Sequence, residues 1–403
     1  MQAKVNIPST LCELIDRFAL NGHSAYFVGG CVRDSILGNP VYDYDVTTSA
    51  RPEVVTELFY DCKVIPTGIK HGTVTVVYKG YPVEITTFRK DGFYKDNRHP
   101  ASVEFSQDLQ EDTKRRDFTI NALCYNHLEG LIDHHGGLED LQSCIVKCVG
   151  DPSLRFKEDA LRILRGLRFA ARFGFDIDPS TATSMLQNRH LIQNVSSERI
   201  LSELKGFFES EHSYRYVKEY FPILSSACCV DGYIDVCTLE SILKAIVPQH
   251  RMAAFFAVCG GSTEGAVKLI RRLKPDNKTL FGISSSAEAY YNDCFADAVS
   301  VGRTIRKYGL HSAEVLYAIN TAAGRNICLD AQDRIKYMED GLLPLSIKEL
   351  AVNGNDIASL GITVGEDIGA VLEHLFNKVH LGVQNTKNTL LSEAKRFMDE
   401  RGN

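Results

Sequence analysis

The stretch YFVGGCVRDSILGNPVYDYDVTT, residues 26–48, predicts the order of the first structural elements. An apolar run ends at Gly29 and Gly30, a helical pattern follows until residues 38–40 stop it, and an alternating segment carries Asp43 and Asp45. This strand–turn–helix–strand order is typical of an α/β domain. Chemically, the stretch has two interpretations: a phosphate-binding turn that faces a metal site, or a folding turn followed by a polar strand.

The composition indicates an ordinary globular protein with more than one domain. The chain has 403 residues, too many for one typical core, and 44% of them are hydrophobic. No run of about 18 apolar residues occurs and residues 1–10 lack a signal-peptide core, so we expect neither export nor membrane spanning. The twelve cysteines lack zinc-site spacing and are expected to be reduced thiols in the cytoplasm. The net charge of −6 predicts that any RNA-binding face is local.

Sequence patterns divide the chain into an α/β part and an all-α part. Residues 72–88, GTVTVVYKGYPVEITTF, form two β-rich runs that meet at Gly80, which is a hairpin signal. We also expect a helix at residues 33–37 and a strand at residues 42–47. From residue 151 onward, beginning with DPSLRFKEDALRILRGLRFAARFGF, helical periodicity dominates to the end of the chain.

Asp43 and Asp45 are the first candidate catalytic residues. Residues two apart in a strand project to one face, so the two carboxylates would lie side by side. Mg²⁺ usually takes one or two carboxylates together with substrate phosphates, and Glu84 in VEITTF could add a third carboxylate from a neighbouring strand. Solvated loop aspartates are the competing interpretation, and this motif alone does not decide between them.

Gly29 and Gly30 form a candidate phosphate-binding turn. Glycine lets a phosphate approach the backbone closely, a helix N-terminus offers free amides, and Arg33 could pair with phosphate oxygens. With metal-binding carboxylates nearby, such a turn would suit a nucleoside triphosphate whose α-phosphate is attacked in line by a hydroxyl. A plain strand-to-helix turn is the other interpretation.

The segment KRRDFTINAL, residues 114–123, contains a second set of polar candidates. Arg116, Asp117 and Asn121 occur at near-helical spacing around apolar residues. They would contact the triphosphate and ribose, or they would form buried structural pairs. Spacing alone does not separate these two interpretations.

The segment RFKEDALRILRGLRF, residues 155–169, contains the candidates for base recognition. Asp159 and Arg162, at i and i+3, share one helix face and could present an acceptor and donors to the edge of a base. A surface salt bridge is the simpler interpretation of that pair. Arg165 and Arg168 add positive charge to the same segment.

The polar segment RKDGFYKDNRHP, residues 89–100, is long for a connection inside a compact domain. It is either a disordered insert or a mobile loop that changes the site through Asp96 and Arg98.

These motifs, in this order, resemble those of the class II tRNA nucleotidyltransferases, which comprise the CCA-adding enzymes and the related bacterial poly(A) polymerases. The resemblance covers residues 26–203 and continues more weakly over residues 350–375. The motifs that carry it are GGCVRD, DYDVTT, VEITTFR, YKDNRHP, RRDFTINAL, residues 151–169 and SSERI at residues 196–200.

The resemblance implies a role for each motif. Asp43 and Asp45 would be Mg²⁺ ligands with Glu84 as the supporting carboxylate. Asp159 and Arg162 would read the base edge of CTP or ATP. Glu158 would orient Arg162, Asp96 and Arg98 would take part in the switch to the terminal A, and Ser197, Glu198 and Arg199 would stabilise the helical neck. The implied nucleotide-binding residues are Gly29, Gly30, Arg33, Arg116, Asp117, Asn121, Asp159, Arg162, Arg165 and Arg168.

The resemblance also implies an architecture and an activity. The architecture is a mixed-sheet α/β nucleotidyltransferase head (1–148), a helical neck with base recognition (149–208), and a helical body and tail that bind tRNA (209–403). The activity is template-independent addition or repair of the CCA 3′ end of tRNA from CTP and ATP, with Mg²⁺ as cofactor and with neither a membrane nor a protein partner. The rival functions are an A-adding-only enzyme, a poly(A) polymerase, and a non-catalytic RNA-binding protein with the same fold.

Overall fold

A computed structural model describes residues 4–66, 68–91, 103–292, 294–362 and 365–401. The chain divides into two compact units, Met1–Cys229 and Val230–Asn403. The domain borders expected at residues 148 and 208 both fall inside the first unit and stay predictions.

The first unit contains the predicted mixed sheet. Its strands are β1 Ala25–Val28, β2 Tyr44–Thr48, β3 Lys63–Ile65, β4 Thr73–Tyr78, β5 Tyr81–Thr87, β6 Arg89–Asp91, β7 Val103–Phe105, β8 Cys124–Asn126, β9 Gly130–Ile132, β10 Ile145–Val146 and β11 Asp176–Ile177. Within the described residues, seven strands form one sheet in the order β3-β4-β5-β2-β1-β8-β9. Strands β2 and β5 run parallel, and the other neighbours in this sheet run antiparallel.

Helices flank and follow this sheet in the first unit. They are α1 Ser9–Leu20, α2 Gly30–Ile36, α3 Pro52–Leu58, α4 Leu109–Lys114, α5 Gly137–Gln142, α6 Pro152–Glu158, α7 Leu161–Phe173, α8 Pro179–Asn188, α9 Ser197–Phe208 and α10 Tyr214–Cys228. The first helix shows why they pack, since its apolar residues recur at helical spacing and are buried: Leu11, Leu14, Ile15 and Phe18.

Glycine conformations explain where several elements begin. The β4–β5 hairpin turns at Lys79 and Gly80, both with positive φ (47° and 91°), as a two-residue type I′ turn requires. Gly29 has φ +75° and precedes α2, which therefore begins three residues before the predicted start. Strand β2 begins at Tyr44, two residues later than predicted.

The predicted continuous helix over residues 151–175 is wrong at one position. Helix α6 ends at Glu158 and α7 begins at Leu161, because Asp159 has an extended conformation with φ −144° and ψ 102°. The carboxylate of Asp159 accepts a hydrogen bond from the Leu161 amide at 3.1 Å, which stabilises the new helix start. Asp159 and Arg162 therefore do not share a helix face.

The second unit is helical throughout its described residues, as predicted. Its core includes an apolar cluster around Phe295 and Leu316 and another around Ile357 and Phe376. Its helices are α11 Val236–Ala245, α12 Pro248–Cys259, α13 Thr263–Arg271, α14 Asn277–Tyr291, α15 Ala298–Tyr308, α16 Leu310–Ala322, α17 Ala331–Glu339, α18 Gly354–Ala358, α19 Gly365–His380 and α20 Lys387–Arg401.

Among the described residues, no single helix has the length and apolar character needed to cross a membrane. Helices α12 and α13 reach that standard only when they are joined across a bend of 116°.

Candidate active site

Three carboxylates lie together where β2 and β5 run parallel. Asp43 directly precedes β2, Asp45 lies within it, and the strand register pairs Asp45 with Glu84. The predicted alternation is confirmed, because Asp43 and Asp45 are exposed while Tyr44 between them is buried. Asp45 keeps contact with solvent, yet partial burial and then the negative charge of Glu84 raise its pKa to about 6, against the opposing effect of Arg116.

This cluster of carboxylates fits a divalent cation whose other ligands are substrate phosphates. Within the described residues, no three His, Cys, Asp or Glu side chains are arranged as a complete metal site. Asp43 and Asp45 nevertheless supply the one or two carboxylates that Mg²⁺ takes when substrate phosphates complete its shell. The mutual repulsion that helps to raise the pKa of Asp45 is the repulsion that a bound cation relieves.

The glycine turn lies beside these carboxylates. A Cβ on Gly29 would lie 3.7 Å from Arg116 Nη1 and 3.9 Å from Asp45 Oδ2. The turn, an arginine and a carboxylate therefore converge, and α2 begins at the next residue, Gly30. This arrangement combines an anion-binding element with a cation-binding element.

Arg33 is buried rather than presented to a ligand. Its guanidinium is 3% exposed and pairs with Asp34, with Nε–Oδ1 and Nη2–Oδ2 distances of 2.9 Å each. Its Nη1 also donates to Asn121 Oδ1. Its guanidinium carbon lies 5.3 Å from the centre of the Phe169 ring and 4.8 Å from the centre of the Phe173 ring. Because these donors are already engaged, the geometry favours a positioning role over the direct phosphate contact that the sequence predicts.

Asp117 and Asn121 extend the same buried network. Asn121 Nδ2 donates to Asp117 Oδ1 at 3.2 Å, and Arg165 Nε donates to Asp117 Oδ2 at 2.7 Å. Burial acts to raise the pKa of Asp117, but the charge and hydrogen bond of Arg165, with the charge of Arg162 and the hydrogen bond of Asn121, together lower it to about 2. The network thus joins α2, the RRDFTINAL segment and α7 through a permanently ionised carboxylate.

The predicted base-reading residues are each fixed by a different partner. Arg199 Nη2 on α9 donates to Asp159 Oδ2 at 2.8 Å. Arg162 Nη1 donates to Glu158 at 2.7 Å, the pair that the resemblance implies, and Arg162 Nη2 donates to the Arg115 carbonyl at 2.8 Å. The two side chains are therefore held by tertiary contacts rather than by their spacing in one helix.

Arg168 and Glu203 join α7 to α9. Arg168 Nε donates to Glu203 Oε2 at 2.5 Å, and Arg165 Nη1 lies 3.9 Å from Glu203 Oε1. Arg168 also lies over the Phe169 ring at 4.5 Å. Arg165 and Arg168 thus belong to the ionic contacts between these helices, and their contact with a nucleotide stays a prediction.

Asp96 and Arg98 lie outside the described residues, so their predicted role in the loop is not tested by the geometry.

The sequence analysis missed two acidic residues that organise these arginines. Asp34 binds Arg33 and also lies 3.3 Å from Arg172 Nη2. Asp112 is fully buried, and although burial acts to raise its pKa, the charges of Arg115 and Arg116 hold the pKa below its usual value. The spacing of Asp112 to Arg115 and Arg116, i to i+3 and i+4, is the sequence signal that could have identified it.

Comparisons with known proteins find similar sequences over nearly the whole chain. Residues 25–147 match the family model of the poly A polymerase head domain, and residues 174–221 match a model described as a probable RNA and SrmB-binding site of polymerase A. The CCA-adding enzyme of Ligilactobacillus salivarius is 32% identical over 98% of this chain and 99% of its own length. That of Lactobacillus helveticus is 36% identical over 89% of this chain and 88% of its own.

Solved structures show the same likeness. The Bacillus stearothermophilus CCA-adding enzyme in complex with CTP has a TM-score of 0.74 and 29% identity, and the match covers 98% of this chain and 99% of that one. The Thermotoga maritima CCA-adding enzyme complexed with tRNA has a TM-score of 0.75 at 21% identity, with 98% of this chain and 97% of that one covered, and shows a shared fold.

Proposed function

The chain belongs to the CCA-adding enzyme family, and from this premise we propose that it adds or repairs the CCA 3′ end of tRNA. It transfers CMP from CTP and AMP from ATP to the tRNA 3′ hydroxyl, releases pyrophosphate and uses no nucleic-acid template. The observation that carries the proposal is the convergence of Asp45, Arg116 and the Gly29 turn in one site. This site lies in a chain that aligns with CCA-adding enzymes over nearly its whole length.

The site supplies the groups that phosphoryl transfer needs. The 3′ oxygen forms a bond to the α-phosphorus of the nucleotide while the bond to pyrophosphate breaks. Asp43 and Asp45 would hold Mg²⁺, which would supply Lewis-acid stabilisation of the phosphate oxygens and the attacking hydroxyl. Arg116 and the first amides of α2 bind the triphosphate, and they hold its α-phosphate in line for attack.

Asp159 and Arg162 select the base. Cytosine and adenine each present an amino donor beside a ring-nitrogen acceptor, whereas uracil and guanine present a carbonyl oxygen in place of that amino group. A carboxylate accepts from the amino group and an arginine donates to the ring nitrogen, so the pair accepts CTP and ATP and rejects UTP and GTP. The fixed positions of Asp159 on Arg199 and of Arg162 on Glu158 support this role.

The remaining assignments follow from the family and from surface chemistry. The helical residues 209–403 hold tRNA, and the cationic edge of α13, with Lys268, Arg271 and Arg272 around a surface cavity, suits contact with backbone phosphates. The twelve cysteines are all free thiols, which supports a reducing cytoplasm as the working compartment.

Single-nucleotide assays on three tRNA substrates test this function. Transcripts that end before CCA, after the first C and after CC are incubated with labelled CTP or ATP. We expect CMP on the first two and AMP only on the third. An enzyme that adds A alone would extend only the CC-ended tRNA, a poly(A) polymerase would add a run of A, and a non-catalytic protein would extend none.

A further inference from the structure

Asp112 on α4 is a buried carboxylate that forms ion pairs with two arginines, Arg115 and Arg116. It is 0% exposed, and each of its oxygens has more than one donor. Oδ1 accepts from Arg115 Nη2 at 2.7 Å and Nε at 3.0 Å and from the Arg89 amide at 3.3 Å. Oδ2 accepts from Thr47 Oγ1 at 3.0 Å and from Arg116 Nη2 at 3.2 Å.

These contacts connect Asp112 to both sides of the site. Thr47 lies on β2 two residues after Asp45, so Asp112 is bound to the strand that carries the catalytic carboxylate. The Arg115 carbonyl accepts from Arg162 Nη2 at 2.8 Å, so the residue that Asp112 holds also holds a base-reading arginine. A single buried side chain thus links the β2 strand, the RRDFTINAL segment and α7.

Arg116 presents Nη1 to the glycine turn and has a second donor, Nε, that no described hydrogen bond uses. Asp112 engages its Nη2, whereas Nε is buried without a hydrogen-bond partner among the described residues. Nη1 lies 3.7 Å from the point where a Cβ would sit on Gly29. The Arg116 side chain is 21% exposed, and a buried donor such as its Nε is costly unless a ligand or water completes the hydrogen bond. The geometry therefore describes a cation that is held at one edge and open to an anion at another.

We propose that Asp112 is a positioning residue that holds Arg116 beside the Gly29–Gly30 turn, so that Arg116 binds the triphosphate of the incoming nucleotide. The proposal rests on the proposed function, because it takes a nucleoside triphosphate as the ligand of this site. Arg116 contacts the triphosphate, which CTP and ATP share, so loss of Asp112 weakens the binding of both nucleotides by the same factor. A merely structural Asp112 would lower stability and leave triphosphate affinity unchanged.

Asp112→Asn tests the proposal, since it keeps the shape of the side chain and removes its charge. Asp133→Asn is the matched control, because Asp133 accepts the backbone amides of His135, Gly137 and Leu138 in the same head and contacts no arginine in the described contacts. The measurements are the melting temperature, KM and kcat for CTP and ATP, and the affinity for inorganic tripolyphosphate as a competitor of CTP.

We expect Asp112→Asn to raise both KM values and to weaken tripolyphosphate binding by the same factor, about tenfold, with kcat within about twofold. Asp133→Asn should leave all of these values within about twofold. A lower melting temperature with unchanged tripolyphosphate affinity, or a fall in kcat alone, would overturn the proposal.

Thr47→Val keeps the proposal testable if Asp112→Asn does not fold. It removes only the hydroxyl that holds Asp112 Oδ2, and Thr48→Val is its control on the same strand, since Thr48 Oγ1 donates instead to the Ser24 carbonyl at 2.7 Å. We expect Thr47→Val, but not Thr48→Val, to weaken tripolyphosphate binding about two- to fivefold, which is about the effect of one lost hydrogen bond. Equal affinities of Thr47→Val and Thr48→Val for tripolyphosphate would refute the positioning role of Asp112. If wild-type protein bound tripolyphosphate but incorporated neither nucleotide, the proposed function would fail while the Asp112 comparison still held.

Discussion

Asp45 is crowded by charge of its own sign. Partial burial and then Glu84 raise its pKa to about 6, so the folded protein disfavours its ionised form. A carboxylate in this state is a poor contributor to stability and a good partner for a cation. Its cost in stability is the kind that catalytic sites carry for function.

Asp45→Asn should abolish incorporation of both CMP and AMP. The raised pKa means that ionisation of Asp45 destabilises the fold above pH 6, so the variant should match or exceed wild-type stability there, by up to about 1 kcal/mol after screening by solvent. Incorporation assays and urea unfolding at pH 7.5 in a chelator measure the two effects. Retained turnover would remove Asp45 from the catalytic set.

Asp159→Ala should impair nucleotide choice more than it impairs chemistry. Removal of this carboxylate would take away the proposed acceptor for the amino group of cytosine or adenine, and it leaves Arg199 without that partner. We expect the ratio of CTP to UTP incorporation to fall by about tenfold or more. An unchanged ratio would exclude Asp159 from base recognition.

Elements meet in this protein through polar contacts rather than through apolar packing alone. Asp117 connects the RRDFTINAL segment to Arg165 on α7, and Asn121 extends the contact to Arg33 on α2. The low pKa of Asp117, about 2, shows that these partners favour its ionised form. The helices that follow the sheet are therefore tied to it by a charge network.

Asp117→Asn should lower the free energy of unfolding by about 2 kcal/mol at neutral pH. Because the pKa of Asp117 is lower in the folded than in the unfolded state, its contribution is complete above about pH 4 and is lost as the pH falls towards 2. The difference from wild type should therefore shrink on acidification. Urea unfolding at pH 7, 5 and 3 measures it.

Asp151→Asn is the control for this series. Asp151 caps α6 through the amides of Ser153 and Leu154, and asparagine caps a helix about equally well. The ionic role of Asp117 would be contradicted if Asp117→Asn and Asp151→Asn lost the same free energy of unfolding. It would also be contradicted if the loss in Asp117→Asn did not depend on pH.

The whole molecule consists of two compact units. The second unit packs His380 at 1% exposure against Gly302, where a Cβ would lie 2.8 Å from the imidazole ring. Burial lowers the pKa of His380, so the neutral ring is the form that this core accepts. Gly302 is thus required for close packing within the second unit.

Gly302→Ala should destabilise the second unit by about 1–3 kcal/mol because it overpacks this contact. Gly282→Ala is the matched control, since Gly282 lies within helix α14 with no atom near the added Cβ. Alanine at this position should raise the free energy of unfolding by about 0.5–1 kcal/mol. Thermal unfolding and CTP affinity are measured for both. A change in CTP affinity in Gly302→Ala would show that the site of the first unit depends on this core.

Much of the fold follows from short-range patterns. The hairpin around Gly80, the alternation of Asp43 and Asp45 and the start of α2 after Gly29 each depend on a few neighbouring residues. Backbone sterics and the two periodicities act over those distances, so the sequence by itself determines these elements. The exact break at Asp159 was missed, because a contact 40 residues away holds that side chain.

The spacing of carboxylates, glycines and arginines in the sequence predicted the candidate residues for the chemistry, and their roles stay predictions. Only the tertiary structure decided which partner each charge has. Arg33 binds Asn121 across 88 residues, and Asp112 binds Thr47 across 65. Both arginine and carboxylate can pair with many charged or neutral polar partners, and burial in one shared core selects among them. For that reason Arg33, which the sequence assigns to phosphate, lies inside the fold, while Arg116 presents Nη1 to the glycine turn.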